Sequence, residues 1–440
     1  MNSSFLKPNL LPTQTLVDAT GIFCASGYGV LAYLARQIGE PDLLVFYGIV
    51  VWTAAPVLAL FLYLVRREES FPVSRLFLWA IVFRLCGFLG GPFYEDDFYR
   101  YLWDGYRFWE TGTPYGVAPE AFFVDQSVPI ALQGALDQIN NPDLPTIYGP
   151  TAQLLLLLGY VLKAGSVYAL QGLLIIVDLT IIYLLTRLTT IRNAMLYAWC
   201  PLVIKEIAFT AHPDALGVCL VLAAIVLVRR DRYGFAAVCL GLAVGAKLFA
   251  LVVVPFVLYR APHRSWLYFL LTLGALYAPF LLSGATDVDS LIVFAQEWEF
   301  NSSIFAILSL FVPAKISKLT LGVAFFILVL YLLRRHGRVN NLIPRGDWLF
   351  GSLFVLSPVF NAWYMLWVLP FAAIYPSRWA WTASVALLLT YITGLHLGDF
   401  EIQPYAQPIW VRITEFGAIA LALGWDMQRN RRRELESEAI

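Results

Sequence analysis

Apolar runs about 20 residues long recur from one end of this 440-residue chain to the other, and that recurrence decides which solvent it can fold in. A helix rising about 1.5 Å per residue needs about 20 apolar residues to cross a hydrocarbon core about 30 Å thick. Such runs lie near 16–36, 43–65, 74–91, 167–187, 193–209, 212–228, 265–282, 316–333, 379–396 and 409–427. Shorter ones lie near 150–164, 234–246, 247–259, 303–312, 347–358 and 363–376. Hydrophobic residues make up 60% of the chain and charged residues 14%, and the mean hydropathy is +0.70. A soluble domain carries about 25% charge, so in water this chain would expose far too much apolar surface. The expected fold is an all-α polytopic integral membrane protein with about 12–14 membrane helices, some of them partial. No polar stretch is long enough for a separate domain, so residues 1–440 read as a single membrane-embedded unit.

Charge excludes one class of partner. Thirty basic residues balance thirty acidic ones and the pI is near 6.9, so nothing electrostatic favours nucleic acid; the bilayer is the evident partner. Cys24, Cys86, Cys200, Cys219 and Cys239 stand singly in apolar runs, without metal-ligand or disulfide spacing, and read as small hydrophobes. No Gly-rich phosphate loop is present. Residues 1–12 hold one lysine and two prolines and lack the basic region of a cleaved signal peptide, so the first span is expected to act as an uncleaved signal.

Lysine and arginine in short loops orient the spans, because cytoplasmic loops carry the excess. Arg66-Arg67 with Arg75, Arg187 with Arg192, Arg229-Arg230 with Arg232, Arg260 with Arg264, Arg334-Arg335 with Arg338 and Arg345, and Arg429 with the 431–433 arginines all read as inside. The tail 428–440 is then a charged cytoplasmic segment. Segments 37–42, 92–149, 210–213, 283–302, 359–362 and 397–408 fall outside. Two places strain this scheme. Residues 234–259 begin and end inside, which requires a hairpin or a broken helix, with Gly241 and Gly245 available for it; 150–187 crosses once with two apolar segments, of which 150–164 is re-entrant.

The chemistry-bearing stretch is Gly90 to Gly105 in the large outer loop 92–149, where Glu95-Asp96-Asp97 follow the third span directly. Three carboxylates at a hydrocarbon boundary are costly unless they pair or act. A helix starting at Asp96 or Asp97 would be capped by the acid, and its dipole would favour the charge. Asp97, Arg100, Tyr101 and Asp104 then share a face at spacings of three, four and seven. That face offers a base-like carboxylate, a phosphate-sized cation and a second carboxylate; the alternative is an interfacial helix with a capping acid and an aromatic belt.

The neighbouring motifs favour the first reading. Asp97-x-Tyr99-Arg100-Tyr101-x-Trp103-Asp104-Gly105, then Gly112-Thr113-Pro114-Tyr115, and then Asn140-Asn141-Pro142-Asp143-Leu144-Pro145-Thr146-Ile147-Tyr148-Gly149-Pro150 at a helix start follow one another. Downstream come Ala211-His212-Pro213-Asp214, Gly245-Ala246-Lys247-Leu248, Trp298-Glu299-Phe300-Asn301, and Pro358 with Trp363-Tyr364 and Trp367 to Pro370. In this order and spacing, across roughly residues 75–375, the chain resembles the GT-C superfamily of membrane glycosyltransferases, notably the bacterial polyprenyl-phosphomannose-dependent mannosyltransferases.

The resemblance implies a GT-C-like helical bundle whose large outer loop holds amphipathic helices, in a bacterial inner membrane with the active site on the extracytoplasmic face. It implies a catalytic aspartate in the first large outer loop: by position Asp97, with Asp96 the close competitor and Glu95 third, since two acids precede Asp97 here where many relatives have one. The reaction would pass a hexose, mannose being one option, from a polyprenyl-phosphate carrier to a glycan or glycolipid acceptor. One base deprotonating the acceptor hydroxyl suffices for a single inverting displacement, and arginine or lysine stabilises the lipid phosphate as it leaves. No cofactor is expected, and no metal, although paired carboxylates suit a divalent cation.

Substrate-binding positions carried by the motifs are Arg100, Tyr101, Asp104, Tyr148, His212, Asp214, Lys247, Trp298, Asn301, Trp363 and Tyr364. Several have a structural alternative. His212 and Asp214 either hold substrate or cap a helix, and Lys205-Glu206 reads as an internal ion pair. Lys247 either meets the carrier phosphate or pairs with Asp178 or another buried acid, and Arg84 poses the same choice, with snorkelling to the interface as its alternative. Trp298, Asn301, Trp363 and Tyr364 either stack on sugars or pack in the interfacial belt. A transporter or flippase is the competing class. It would show repeated broken helices and polar residues at the midplane, whereas here no repeat is evident and polar residues cluster at one interface. A lipid-pyrophosphate ligase or polymerase would favour a large, late, arginine-rich outer loop, and this chain has an early acidic one.

Overall fold

The computed structural model describes residues 12–339, 341–398 and 401–438, with side chains up to residue 429. The expectation for residues 1–11, and the arginines of 431–433, lie outside the described residues or side chains. Every described element is helical, and the only β pairing among the described residues is one isolated bridge between Phe300 and Val359.

Three long helices open the chain: α1 (Thr13–Ile38), α2 (Leu43–Arg66) and α3 (Val73–Gly90). The loop that follows folds into α4 (Asp97–Thr111), a short 3₁₀ turn (Pro119–Phe122) and α5 (Ile130–Leu136). Next come α6 (Pro150–Leu162), α7 (Val167–Leu188), α8 (Ile191–Ala198) and α9 (Pro201–Ile204), the last running into one π-helical turn (Lys205–Phe209). Beyond a break lie α10 (Asp214–Val228), α11 (Tyr233–Ala246), a 3₁₀ turn (Leu248–Val252) and α12 (Val254–Val257). The second half contains α13 (His263–Ser283), α14 (Val288–Glu297), α15 (Ile304–Ser309), α16 (Ala314–Arg338) and α17 (Gly346–Leu356). It closes with α18 (Met365–Ile374), α19 (Arg378–Ala386), α20 (Gly394–Leu397) and α21 (Ile409–Glu438).

Among the described residues, six of these helices are long and apolar enough to cross a membrane: α1, α2, α3, α7, α13 and α16. The protein is therefore multi-pass. The bent pair Pro201–Phe209 and Asp214–Val228, folded by 116°, makes a seventh candidate. Most of the other apolar segments are partial, as the 10–17-residue helices α6, α11 and α17 show, and the expected span 409–427 lies in the unbroken α21, which is long enough but not among the six apolar enough to cross. Proline and charge explain the interruptions: Pro201 can start a helix but not continue one, and the run 234–259 breaks at Lys247 in extended conformation. The run 193–209 is divided into α8, α9 and the π turn rather than forming one span. The tail beyond 427 continues α21 as backbone helix to Glu438.

Position within the bundle follows burial. In α13 and α16 only 17% and 11% of the most apolar stretch is covered by protein, so Leu319, Val323 and Ile327 of α16 present their side chains outward, where lipid can cover them. In the interior, Arg84 of α3 donates from Nε to Asp178 Oδ2 of α7 at 2.6 Å and from NH1 to Ala198 O of α8 at 2.7 Å, while Tyr197 OH donates to Asp178 Oδ1 at 2.9 Å. Both charged side chains are wholly buried. Arg84 therefore clamps three helices and does not snorkel, and Asp178 is occupied by it, not by Lys247. The carbonyls freed where the π turn breaks are also met: Gln171 Nε2 of α7 donates to Ala208 O at 2.9 Å and Phe209 O at 2.7 Å, as buried backbone requires in a membrane.

Two glycines bring the site elements together. A Cβ on Gly105 would stand 2.6 Å from Leu156 O, so its absence lets α4 lie against α6. A Cβ on Gly149 would stand 2.4 Å from Gly245 O, so the segment before α6 touches the end of α11.

Candidate active site

A cavity of about 1540 Å³ opens where the segments expected outside meet. Gly39 and Glu40, the stretch from Pro92 to Arg100, residues 138–149, the stretch from Phe294 to Phe300, Val359 with Asn361, and Tyr405 all contribute to its wall. The remaining outer segment, 210–213, supplies His212 directly beneath it. One end of the cavity is polar and acidic. The other runs between the 3₁₀ turn at 248–252, α14 and α16, where Leu251, Leu291, Leu321, Phe325 and Val329 line an apolar channel.

Asp97 is the first residue of α4, at the positive end of the helix dipole. Its carboxylate is half-buried in the cavity wall. Tyr148 OH donates to Oδ2 at 3.3 Å, Tyr101 OH reaches the same oxygen at 3.4 Å, and Asn140 Nδ2 reaches Oδ1 at 3.3 Å. Asp96 is held more tightly: Asn140 Nδ2 donates at 2.6 Å and Tyr405 OH at 3.1 Å. Burial, then the neighbouring Asp97 charge, pushes the Asp96 carboxyl up to about 6. Glu95 is raised as well, chiefly by burial and opposed by Lys205. The local chain is strained: Tyr94, Asn141, Ala211 and Asn301 all adopt left-handed φ without being glycine, a cost that concentrates at functional sites.

The rest of the α4 face holds the loop in place. Arg100 donates to the carbonyls of Leu144 at 2.9 Å, Asn141 at 2.9 Å and Asn140 at 3.2 Å. Its guanidinium lines the cavity wall with these donors occupied, so it anchors the loop at Asn140 beside Asp97. Asp104 is buried and accepts from Thr146 Oγ1 and from Gln153 Nε2 at 2.9 Å, which ties α4 to the start of α6. Burial raises its carboxyl to about 6, with Arg100 opposing. Tyr115 OH donates to Tyr148 O at 2.9 Å and fixes that residue over Asp97.

The second constellation sits at helix breaks. Asp214 opens α10 and is buried; its Oδ2 meets Lys247 Nζ at 2.8 Å and its Oδ1 accepts from Trp367 Nε1 at 2.7 Å. Lys247 thus has Asp214 as its acid partner. It keeps 20% of its side chain exposed and lines the cavity near the Tyr364 ring, 5.1 Å away. His212 is fully buried, stacked on Trp363 with ring centroids 4.3 Å apart. Lys205 and Glu206 lie 3.5 Å apart and form the expected internal pair.

Of the residues marked by sequence, Asp96, Asp97, Arg100, Tyr148, Lys247, Trp298, Trp363 and Tyr364 line the cavity. Tyr101, Asp104, His212 and Asp214 lie behind its wall, while Asn301 is buried and donates to Phe360 O at 3.4 Å beside the Phe300–Val359 bridge. Sequence reasoning missed Tyr405, Tyr391 and the role of Asn140, although Asn140 stood within a quoted motif. Among the described residues, no three His, Cys, Asp or Glu side chains are grouped to hold a metal ion. No curated protein matches the chain. A family model described as alpha-(1->6)-mannopyranosyltransferase, N-terminal domain, matches residues 30–262, a stretch that holds Asp97, Tyr148, His212, Asp214 and Lys247.

Proposed function

That match spans more than half of the chain, so the protein belongs to this family of GT-C-type mannosyltransferases, and from that premise we propose a donor, a face and a base for the transfer. The donor is a mannosyl phosphate on a polyprenyl carrier, the acceptor a glycan or glycolipid, and the reaction takes place on the extracytoplasmic side of a bacterial inner membrane. The observation that carries this reading is the junction of Asp97 and Lys247 with an apolar channel in a single cavity. The channel suits a prenyl chain and the polar end suits a sugar phosphate. Convergence on this cavity of the segments read as outside from arginine placement supports the face.

In the proposed mechanism Asp97 removes the acceptor proton while the acceptor oxygen attacks the sugar C1 in a single inverting displacement. Lys247 steadies the departing phosphate; one of its three donors is bound to Asp214. Tyr148 and Asn140 orient the carboxylate, and Trp298 and Trp363 offer ring faces to the sugars.

The test uses purified protein in nanodiscs with a panel of radiolabelled polyprenyl-phosphate sugars, following transfer and hydrolysis. The expected result is turnover of the mannosyl donor, cut by about 10²–10⁴ in Asp97→Asn and only weakened in Asp96→Asn. Dependence on Asp96 alone would move the base by one residue. No turnover of any lipid-linked sugar by folded protein would refute the donor assignment.

A further inference from the structure

Behind Asp97 runs a line of polar groups sealed from the cavity. Tyr101 OH stands 3.4 Å from Asp97 Oδ2 and 3.1 Å from His212 Nδ1. The other ring nitrogen, Nε2, lies 3.3 Å from Glu206 Oε2. Glu206 is fixed in turn by Tyr391 OH at 2.6 Å and Thr210 Oγ1 at 3.2 Å, with Lys205 Nζ at 3.5 Å. Tyr101, His212 and Glu206 are all buried, and the Trp363 ring covers one face of the imidazole. The chain reaches this arrangement through a π turn, a 116° bend and a left-handed Ala211, features that are costly and cluster at functional sites.

Tyr101 has one hydroxyl proton and two acceptors beside it, so it serves Asp97 or His212 but not both. When Nδ1 is bare, Tyr101 can donate to it and leave Asp97 Oδ2 the more basic. When Nδ1 carries a proton, Tyr101 turns to Asp97. We propose that His212 is a positioning residue for Asp97, which takes up through Tyr101 the proton that Asp97 removes from the acceptor. The proposal rests on the reading of Asp97 as the base.

The acceptor O–H bond breaks and its proton bonds to Asp97 Oδ2. The acceptor oxygen bonds to C1, and the C1–O pair departs on the phosphate. The Asp97 proton then moves to Tyr101 Oη as the Tyr101 proton moves to His212 Nδ1. This leaves an imidazolium facing the Glu206 carboxylate and Asp97 again anionic; the reverse shift returns the proton to water once product has left. Trp363 covers one face of the imidazole, and titratable groups stand at its two nitrogens and beyond them. Tyr101 meets it from α4 and Glu206 from the π turn; Asp97 and Tyr148 stand beyond Tyr101, Lys205 beyond Glu206, and Asp214 opens α10 two residues along the chain. Lys247, Tyr364 and Tyr391 complete the shell around those groups.

The test compares Tyr101→Phe, His212→Gln and Tyr148→Phe with wild type in nanodiscs, with thermal unfolding as the check on folding. Proton transfer by a placed group is worth about 10²–10⁴ in rate, and the relay is expected to supply about tenfold or more of it. Tyr101→Phe and His212→Gln should lose kcat with donor KM unchanged, and their rate should vary linearly with deuterium fraction where wild type curves. Tyr148→Phe removes a hydroxyl that stands 3.3 Å from Asp97 and 3.4 Å from Tyr101 Oη, but should keep the curvature, because Tyr148 has no bond to His212 and the line from Asp97 through Tyr101 stays complete. Nitrogen-15 NMR of labelled histidines gives a readout without turnover: the His212 Nδ1 signal should report a hydrogen bond in wild type, change in Asp97→Asn, and lose that hydrogen bond in Tyr101→Phe. An inactive Asp97→Asn beside a Tyr101→Phe enzyme with wild-type kcat and isotope curvature would overturn the relay and leave the base assignment intact. If no donor turns over, the base reading fails on its own, and a His212 Nδ1 signal that is the same in wild type, Asp97→Asn and Tyr101→Phe overturns the relay as well.

Discussion

Lys247→Met separates what Lys247 does for the fold from what it does for the reaction. Its Nζ lies 2.8 Å from Asp214 Oδ2, and the Asp214 side chain is 1% exposed. Removing one partner of a buried pair leaves an uncompensated charge and costs about 3–5 kcal/mol. Trp367 Nε1 stays on Oδ1 and Lys247 is partly exposed, so the lower end of that range is expected. Adding Asp214→Asn removes the stranded charge and should return most of the unfolding midpoint in detergent. Activity should behave differently. A charge-assisted hydrogen bond to a departing phosphate is worth about 1.5–3 kcal/mol. At about 1.36 kcal/mol per tenfold, kcat/KM for the mannosyl donor should fall about 10- to 150-fold in both the single and the double variant. A double variant that recovers the wild-type rate along with its stability would refute the phosphate role and leave Lys247 as a structural counter-ion to Asp214.

Four further outcomes follow from the same geometry. Asp97→Asn should cost about 10²–10⁴ in transfer rate with donor binding retained, measured by label transfer and by retention of labelled donor. The Asp96 carboxyl lies at about 6 in the fold against an ordinary value of 3.8, so the folded state holds its proton more tightly and stability falls as pH rises from about 4 to 6. Asp104 and Asp287 contribute with the same sign, and Asp96→Asn should flatten its share of that fall in unfolding midpoints taken across this range. Arg84→Met should destabilise by about 3–5 kcal/mol by stranding Asp178, and a second change, Asp178→Leu, should recover most of the loss. Gly149→Ala would place a Cβ 2.4 Å from the Gly245 carbonyl oxygen, where only backbone can yield. It should cost about 1–3 kcal/mol and, by shifting Tyr148, reduce transfer.

The sequence disclosed the site's elements better than their contacts. Helical spacing put Asp97, Arg100, Tyr101 and Asp104 on one face, and α4 has that face. What each residue meets is decided by chain some 40 to 110 residues away. Arg100 is captured by the carbonyls of 140–144, Asp104 by Thr146 and Gln153, and Tyr101 by His212. A periodic pattern carries no information about such partners, so a cation that could have met phosphate proves to anchor a loop. Tyr405 reaches Asp96 from more than 300 residues downstream, and nothing local marks it. Arginine distribution grouped the segments expected outside, and those segments do converge on one cavity. The span count was less legible, because an apolar run shows the length of its composition and not where the helix stops.

Those stops are where the ionic groups sit, and the physics of helix ends accounts for it. A helix N-terminus leaves N–H groups unpaired and carries a partial positive charge, while the C-terminus is negative. Asp97 and Asp214 each occupy the first position of a helix, and Lys247 follows the last residue of α11. Each charge therefore faces the dipole sign that favours it. His212 occupies the gap between two helix halves, where Gln171 satisfies the carbonyls that an unbroken helix would have paired. In a bilayer a polar group within an intact helix meets hydrocarbon or another helix, but at a break it meets backbone dipoles and a water-accessible cavity. The proposed base, the proposed phosphate partner and the proposed proton path all stand at such breaks. The interruptions that depress the count of full spans are the same ones that build the site.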